Sequence, residues 1–225
     1  MNWFWRLLGR GRSRGPGKIG RVIVLVIDGL DSALVDDYLG QGLLHHLAML
    51  GDIGGRAPLL NSAMLAAGGS LCDAAGEIGV RSVELRPVVP RQSANLAAIC
   101  AADREQQERL YTALGRSRPP VVVGVFDMPA RVEQLFGPRP DESQHLVLRD
   151  VYARMDEIVG KAFSFVDEQT ALLVVVGAQR VGEVAPPSAR AGLLFSSRKL
   201  SGLIAGKIEI ESAIAALLRS PPRDS

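Results

Sequence analysis

Aromatic side chains make up only 5% of the 225 residues. That is too sparse for the base-stacking platforms that bind single-stranded nucleic acid. Cysteine is nearly missing too: Cys72 and Cys100 are the only two, and they form no CxxC pair. This excludes a disulfide scaffold and a structural zinc site of the thiolate type, and a reducing, cytoplasmic compartment is the simpler reading. Histidine occurs three times. The apolar, aromatic start at residues 1–9 is too short for a signal-peptide core or a membrane span. The many glycines between residues 51 and 80 form neither a GxGxxG fingerprint nor a phosphate loop with its lysine and hydroxyl.

What charge there is lies unevenly. Residues 1–21 hold six basic side chains (Arg6, Arg10, Arg12, Arg14, Lys18 and Arg21) and no acidic one. Of the 26 basic residues this leaves 20, against 24 acidic residues, so the remainder is net acidic and does not read as a nucleic-acid binder. Residues 1–20 read as a flexible basic arm, Gly-, Arg-, Ser- and Pro-rich from Arg10 to Gly17. Trp3, Phe4 and Trp5 beside those basic residues make a weak membrane-surface contact through residues 1–18 an expectation, with a docked or solvated tail as the plain alternative.

Residues 21–220 read as one α/β domain. Its organising stretch is Val22 to Ile27, six apolar residues running into Asp28 and Gly29. The run shows no alternation, as in a central strand of a parallel sheet buried on both faces. Open α/β sheets place ligands outside the carboxyl ends of their strands, which makes Asp28 the first candidate for chemistry. It could equally cap the following helix. That helix is expected over 32–50, capped by Ser32 and divided near Gly40 and Gly42. The adjacent His45 and His46 point in different directions on a helix and read as surface or edge histidines.

Further along, a short strand or strand pair is expected within Arg81–Val89. Helical stretches follow at 93–102 and 103–114, the second with Asp103 to Arg109 as a solvated face. Val121–Phe126 and Ala171–Val176 read as buried strands, separated by a long helix from about Asp141 to Val166. A short strand at Ala191–Phe195 and a closing helix at Ile208–Leu218 complete the pattern. Apolar strands alternating with helices predict a largely parallel sheet.

The run Val-Ile-Val-Leu-Val-Ile-Asp28-Gly29, the long helix before Leu-Leu-Val-Val-Val, and the closing Ile-Glu-Ile helix resemble the alkaline phosphatase superfamily. The nearest branch is the type I phosphodiesterase/nucleotide pyrophosphatase proteins, with the phosphoglycerate mutases further away. The resemblance covers roughly Arg21–Leu50 and Val121–Leu218. It implies a three-layer sandwich with a largely parallel central sheet and an alkaline-phosphatase-like core. It also implies a site of two metal ions, zinc or manganese, held by aspartates and histidines at strand ends, which activate a nucleophile and balance phosphoryl charge.

Set against that pattern, Asp28 matches the first metal-binding aspartate. The Asp-Arg-x-x-His segment after the second strand is matched by Ala130-Arg131-Val132-Glu133-Gln134, so Ala130 and Gln134 stand where ligands belong. The Ser-Asp-His-Gly segment after the third strand is matched by Gly177-Ala178-Gln179-Arg180, which removes two more at Ala178 and Gln179. The last histidine is matched by Ser188. Asp28 is then the vestige of a dismantled site. Three histidines cannot rebuild the usual set, and a carboxylate-only magnesium site from Asp31, Asp127, Glu133 and Asp141 would require an unusual rearrangement.

Ser62 and Ser93 are the weak candidates for a nucleophile, each with an N-cap role as the bland alternative. Arg131 and Arg180 could bind an anion near the old site. The resemblance therefore implies a catalytically inactive phosphodiesterase- or phosphatase-like protein with a binding, structural or regulatory role. It would need no cofactor, and its partner would be an unknown protein or a small anionic ligand, with no nucleic acid. The alternative is a phosphoric ester hydrolase dependent on zinc, manganese or magnesium, with a rearranged site.

Overall fold

The computed structural model describes residues 19–59, 80–87, 95–116, 118–178, 192–199 and 210–218. In chain order these form β1 (Arg21–Asp28), α1 (Ser32–Gly40), α2 (His45–Ile53), β2 (Arg56–Leu59) and β3 (Ser82–Leu85). Then come α3 (Leu96–Arg116), β4 (Val121–Phe126), α4 (Met128–Phe136), α5 (Glu142–Phe163), β5 (Thr170–Ala178), β6 (Gly192–Ser196) and α6 (Ile210–Leu218). The sheet order is β2-β6-β5-β1-β4-β3. Strands β3, β4, β1 and β5 run parallel, while β6 is antiparallel to both β5 and β2.

β1 sits in the middle because both of its faces are apolar. Ile23, Leu25 and Ile27 join the core on the side of α1 to α5. Val22, Val24 and Val26 join the second core, with Ile210, Ala213 and Ile214 of α6. All eight residues of β1 are buried, and each apolar side chain so enclosed is worth about 2 kcal/mol. The result is the expected three-layer sandwich: helices on both faces of a largely parallel sheet.

Several local expectations are revised. Asp31, not Ser32, caps α1, its Oδ1 accepting from Ala33 N (2.8 Å) and Leu34 N (3.0 Å). The helices expected at 93–102 and 103–114 are one continuous helix, α3, begun by Asn95 accepting from Ala98 N at 2.9 Å. Its supposed solvated face is split, since Asp103 and Gln106 are buried. They continue the row Ile99, Leu110 and Leu114 at three- and four-residue intervals. The arm 1–18, Ser62, Ser93, Gln179, Arg180 and Ser188 lie outside the described residues.

Candidate functional site

Among the described residues, the carboxyl ends of β1 and β5 bring together three of the positions that the resemblance singles out. β1 and β5 pair in register up to Ile27↔Val176, and then Asp28 pairs with Ala178. Gly177 is the extra residue of this bulge, at φ +72°. Glycine adopts that conformation without the Cβ penalty, and bulges of this kind re-aim the residue that follows. On the other side, Gly29 has φ +88°, and a Cβ there would lie 2.2 Å from Ala130 N. Only glycine allows the turn after Asp28 to press against the first turn of α4. Asp28, Ala130 and Ala178 thus converge from three segments of the chain.

The donor types do not converge with the positions. Asp28 is buried; its partner on β5, Ala178, and Ala130 against the turn after it offer no ligand atom, while on the β4 side the register Ile27↔Phe126 runs on to Asp127. Gln134 is exposed. Arg131 is 4% exposed and donates to Asp127 Oδ2 at 2.8 Å; it is neither solvent-facing nor displayed for an anion. The carboxylates considered for magnesium are spread among other tasks. Asp31 caps α1, and Asp141 caps α5 in a reciprocal box with Gln144. Asp127 holds Arg131. A two-metal centre does not fit these residues.

Around the end of β4 lies a second group that the sequence did not reveal. Gln106 bridges the ends of β3 and β4, donating to Leu85 O (2.6 Å) and Val125 O (3.0 Å). Asp103 accepts from Gln107 (2.7 Å) and Arg154 (2.9 Å). Burial pushes the Asp103 carboxyl above its ordinary pKa, against the pull of these two donors. Asp103, Gln106, Asp127 and Arg131 close over a small cavity between α3 and α4.

Three side chains that could ligate a metal do come together elsewhere. His45, His46 and Asp156 place ligand atoms within 4.8 Å of one another, the one such group among the described residues. This corrects the reading of the two histidines as unrelated to a shared site. The set is nevertheless incomplete, and its atoms are engaged. Asp156 is 2% exposed, and its Oδ2 accepts from His46 N (3.0 Å) and contacts His46 Nδ1 (2.9 Å). Its Oδ1 accepts from Leu47 N at 2.9 Å. These are backbone donors in the first turn of α2, whose own N-cap residue, Leu44, supplies no side-chain bond. Asp156 therefore caps α2 from α5, and its charge favours that helix end. His46 Nε2 faces Gly160, where a Cβ would lie 2.4 Å away.

The cap also lies apart from the strand ends. Tyr152 accepts from Asp31 N at 2.9 Å, tying α5 to the loop after β1. Asp156 is one helical turn beyond it, about 6 Å further toward the start of the strands.

No protein-family model matches the chain, and no curated protein is significantly similar to it in sequence. Among solved structures, a 2-O GAG sulfatase superposes with a TM-score of 0.60 at 11% identity, over 92% of this chain and 72% of that one. The fold is the alkaline-phosphatase-like core. At that identity the likeness concerns the fold alone. A protein solved in complex with k-i-k-neocarrahexaose aligns over 53% of this chain and 34% of its own, at 18% identity and a TM-score of 0.30, too low to carry an argument.

Proposed function

We propose that this chain is a catalytically inactive, phosphodiesterase- or phosphatase-like protein that uses the fold for binding or regulation. One observation carries the reading. The sheet register and the close turn at Gly29 bring Ala130 and Ala178 up to Asp28, which supports a site whose backbone geometry persists while these two positions carry no donor. Two-metal ester hydrolysis needs ligands that hold both ions while one activates the nucleophile and both balance the oxyanion charge. Among the described residues, Ala130 and Ala178 supply no ligand atom and Asp127 is engaged by Arg131, so that set is not assembled at Asp28. The partner is a protein or a small anionic ligand.

The test is a titration of the purified protein with zinc, manganese and magnesium, followed by calorimetry. Hydrolysis of an aryl phosphate, an aryl phosphodiester and an aryl sulfate is measured in parallel. The expected result is no stoichiometric binding and no turnover with any ester. Metal-dependent turnover that disappears in Asp28→Ala would overturn the proposal in favour of a hydrolase with a rearranged site.

A further inference from the structure

A groove of about 370 Å³ lies between the first half of α3 and the middle of α5. Leu96 and Cys100 line it from α3, Val147 and Val151 from α5, and Met128 from the start of α4. Asp150, Ala153 and Glu157 line it as well, on the same face of α5 as Leu146, at four- and three-residue intervals. Leu146 is 58% exposed, the highest value among the exposed large apolar side chains described. On the α3 side, Leu96 to Ala102 carry no charged side chain on any face, and Ala97, Ala98 and Ala101 are exposed. From Asp103 to Arg109 every position of the same helix is charged or an amide. A helical stretch that is apolar all round is normally covered.

The charges lining the groove are unbalanced. Asp150 and Glu157 are exposed. The lining cation, Arg154, donates to the buried Asp103 at 2.9 Å, so its charge is already met from below. Arg104 is drawn back against its own helix, its Nε donating to Cys100 O at 3.3 Å, and offsets one of the two carboxylates at most. An apolar groove between two helices, with acids along one of them, matches an amphipathic helix whose apolar stripe is flanked by lysine or arginine.

The described helices of a second copy do not supply one. α1 and α2 expose Leu34 and Ile53, but they carry Asp36, Asp37 and Asp52 and no lysine or arginine. α4 exposes Leu135 beyond Glu133, and its one arginine, Arg131, is buried.

We propose that the α3–α5 groove receives an amphipathic helix of a partner protein, with its apolar stripe on Leu96, Cys100, Val147 and Val151 and its basic flank along Asp150 and Glu157. The inference rests on the binding role proposed above and names the chemistry of the partner. The metal and ester assays decide whether Asp28 is inactive, and the groove is tested apart from them.

The experiment uses the full chain and a fluorescein-labelled synthetic peptide of about 18 residues, with leucines at three- and four-residue spacing and lysines on one flank. Saturable binding is expected by fluorescence anisotropy, weakened by salt. Bound peptide should slow alkylation of Cys100, which mass spectrometry of the digest reads separately from Cys72. The double variant Asp150→Lys, Glu157→Lys changes only exposed side chains and should melt as the wild type does. It should bind the lysine peptide about tenfold more weakly, since each attraction becomes a repulsion. It should also gain binding to the peptide with glutamate in place of every lysine. The proposal is overturned by no saturable binding, by wild-type affinity in the variant, or by an unchanged alkylation rate at Cys100. Equal binding of a scrambled peptide of the same composition would overturn it too, as charge attraction without a helix in the groove. A dimer in sedimentation that the double variant abolishes would assign the groove to a second copy instead.

Discussion

Asp28 and Asp156 are both buried carboxylates, and their surroundings could hardly differ more. Asp156 meets two backbone N–H groups and a histidine ring. Asp28 faces Ala178 across the sheet, and the turn that follows it rests on Ala130. The first place has the side chains of a metal site and serves as a helix cap. The second lies at a strand end, and of the described residues brought up to it Ala130 and Ala178 carry no ligand atom. Ligand-type residues in proximity are therefore a poor guide to a metal unless their lone pairs are still free. A strand-end position is a poor guide to catalysis unless donors surround it.

The sharpest way to break this comparison is at Gly29. An alanine there combines an unfavourable φ with a backbone clash against Ala130, and should cost about 4 kcal/mol. Gly42→Ala is its control: φ is also positive, at +72°, but nothing lies within 4 Å of the added Cβ, so the cost should be about 1 kcal/mol. Equal losses in denaturant unfolding would show that the close approach at Asp28 is not what Gly29 serves.

Asp156→Ala comes next. It strands two backbone donors in the first turn of α2, and should destabilise by about 3 kcal/mol, or roughly 9 °C in Tm for a chain of this size. His46→Ala leaves both backbone bonds to Asp156 in place, so its loss should be nearer 1 kcal/mol by the same measurement. Were the group a metal site instead, zinc would raise the Tm of the wild type and leave His46→Ala unaffected. No such shift is expected.

The smallest effect concerns pH. The raised pKa of Asp103 means that, between the ordinary carboxylate value and its folded value, the native state keeps a proton the unfolded chain has lost. Stability attributable to Asp103 is then greatest at the low end of that window and declines as pH rises through it. Asp141 acts in the opposite sense. The hydrogen bond from Gln144 N, then that from Ser143, holds its pKa down, so its contribution is present above the ordinary value and fades as pH falls through the lowered one. Unfolding curves of Asp103→Asn across mildly acidic pH should lack the first slope and keep the second.

Most elements were legible because their signals are local. The apolar runs of β1, β4 and β5 announce strands buried on both faces, and the spacing from Leu148 to Phe163 marks a helix face. β2 was not legible: it is four residues long with a proline, and exists because β6 pairs with it. α4 carries Pro129 in its first turn, and its apolar side only makes sense once packed between α3 and α5. The buried row of α3 misled because Asp103 and Gln106 look like surface residues until Arg154 and the carbonyls of Leu85 and Val125 are supplied.

The sequence by itself determined the strands, the long helices and the acidic body with its basic leading segment. Those follow from side-chain chemistry and short-range periodicity. Only the tertiary structure decided that Asp28 meets Ala178 and that Asp156 caps a helix 110 residues earlier. The same is true of the groove that Leu96 and Cys100 of α3 share with Val147 and Val151 of α5. Each depends on pairing between distant segments, and the register that fixes it is set by the fit of whole buried faces.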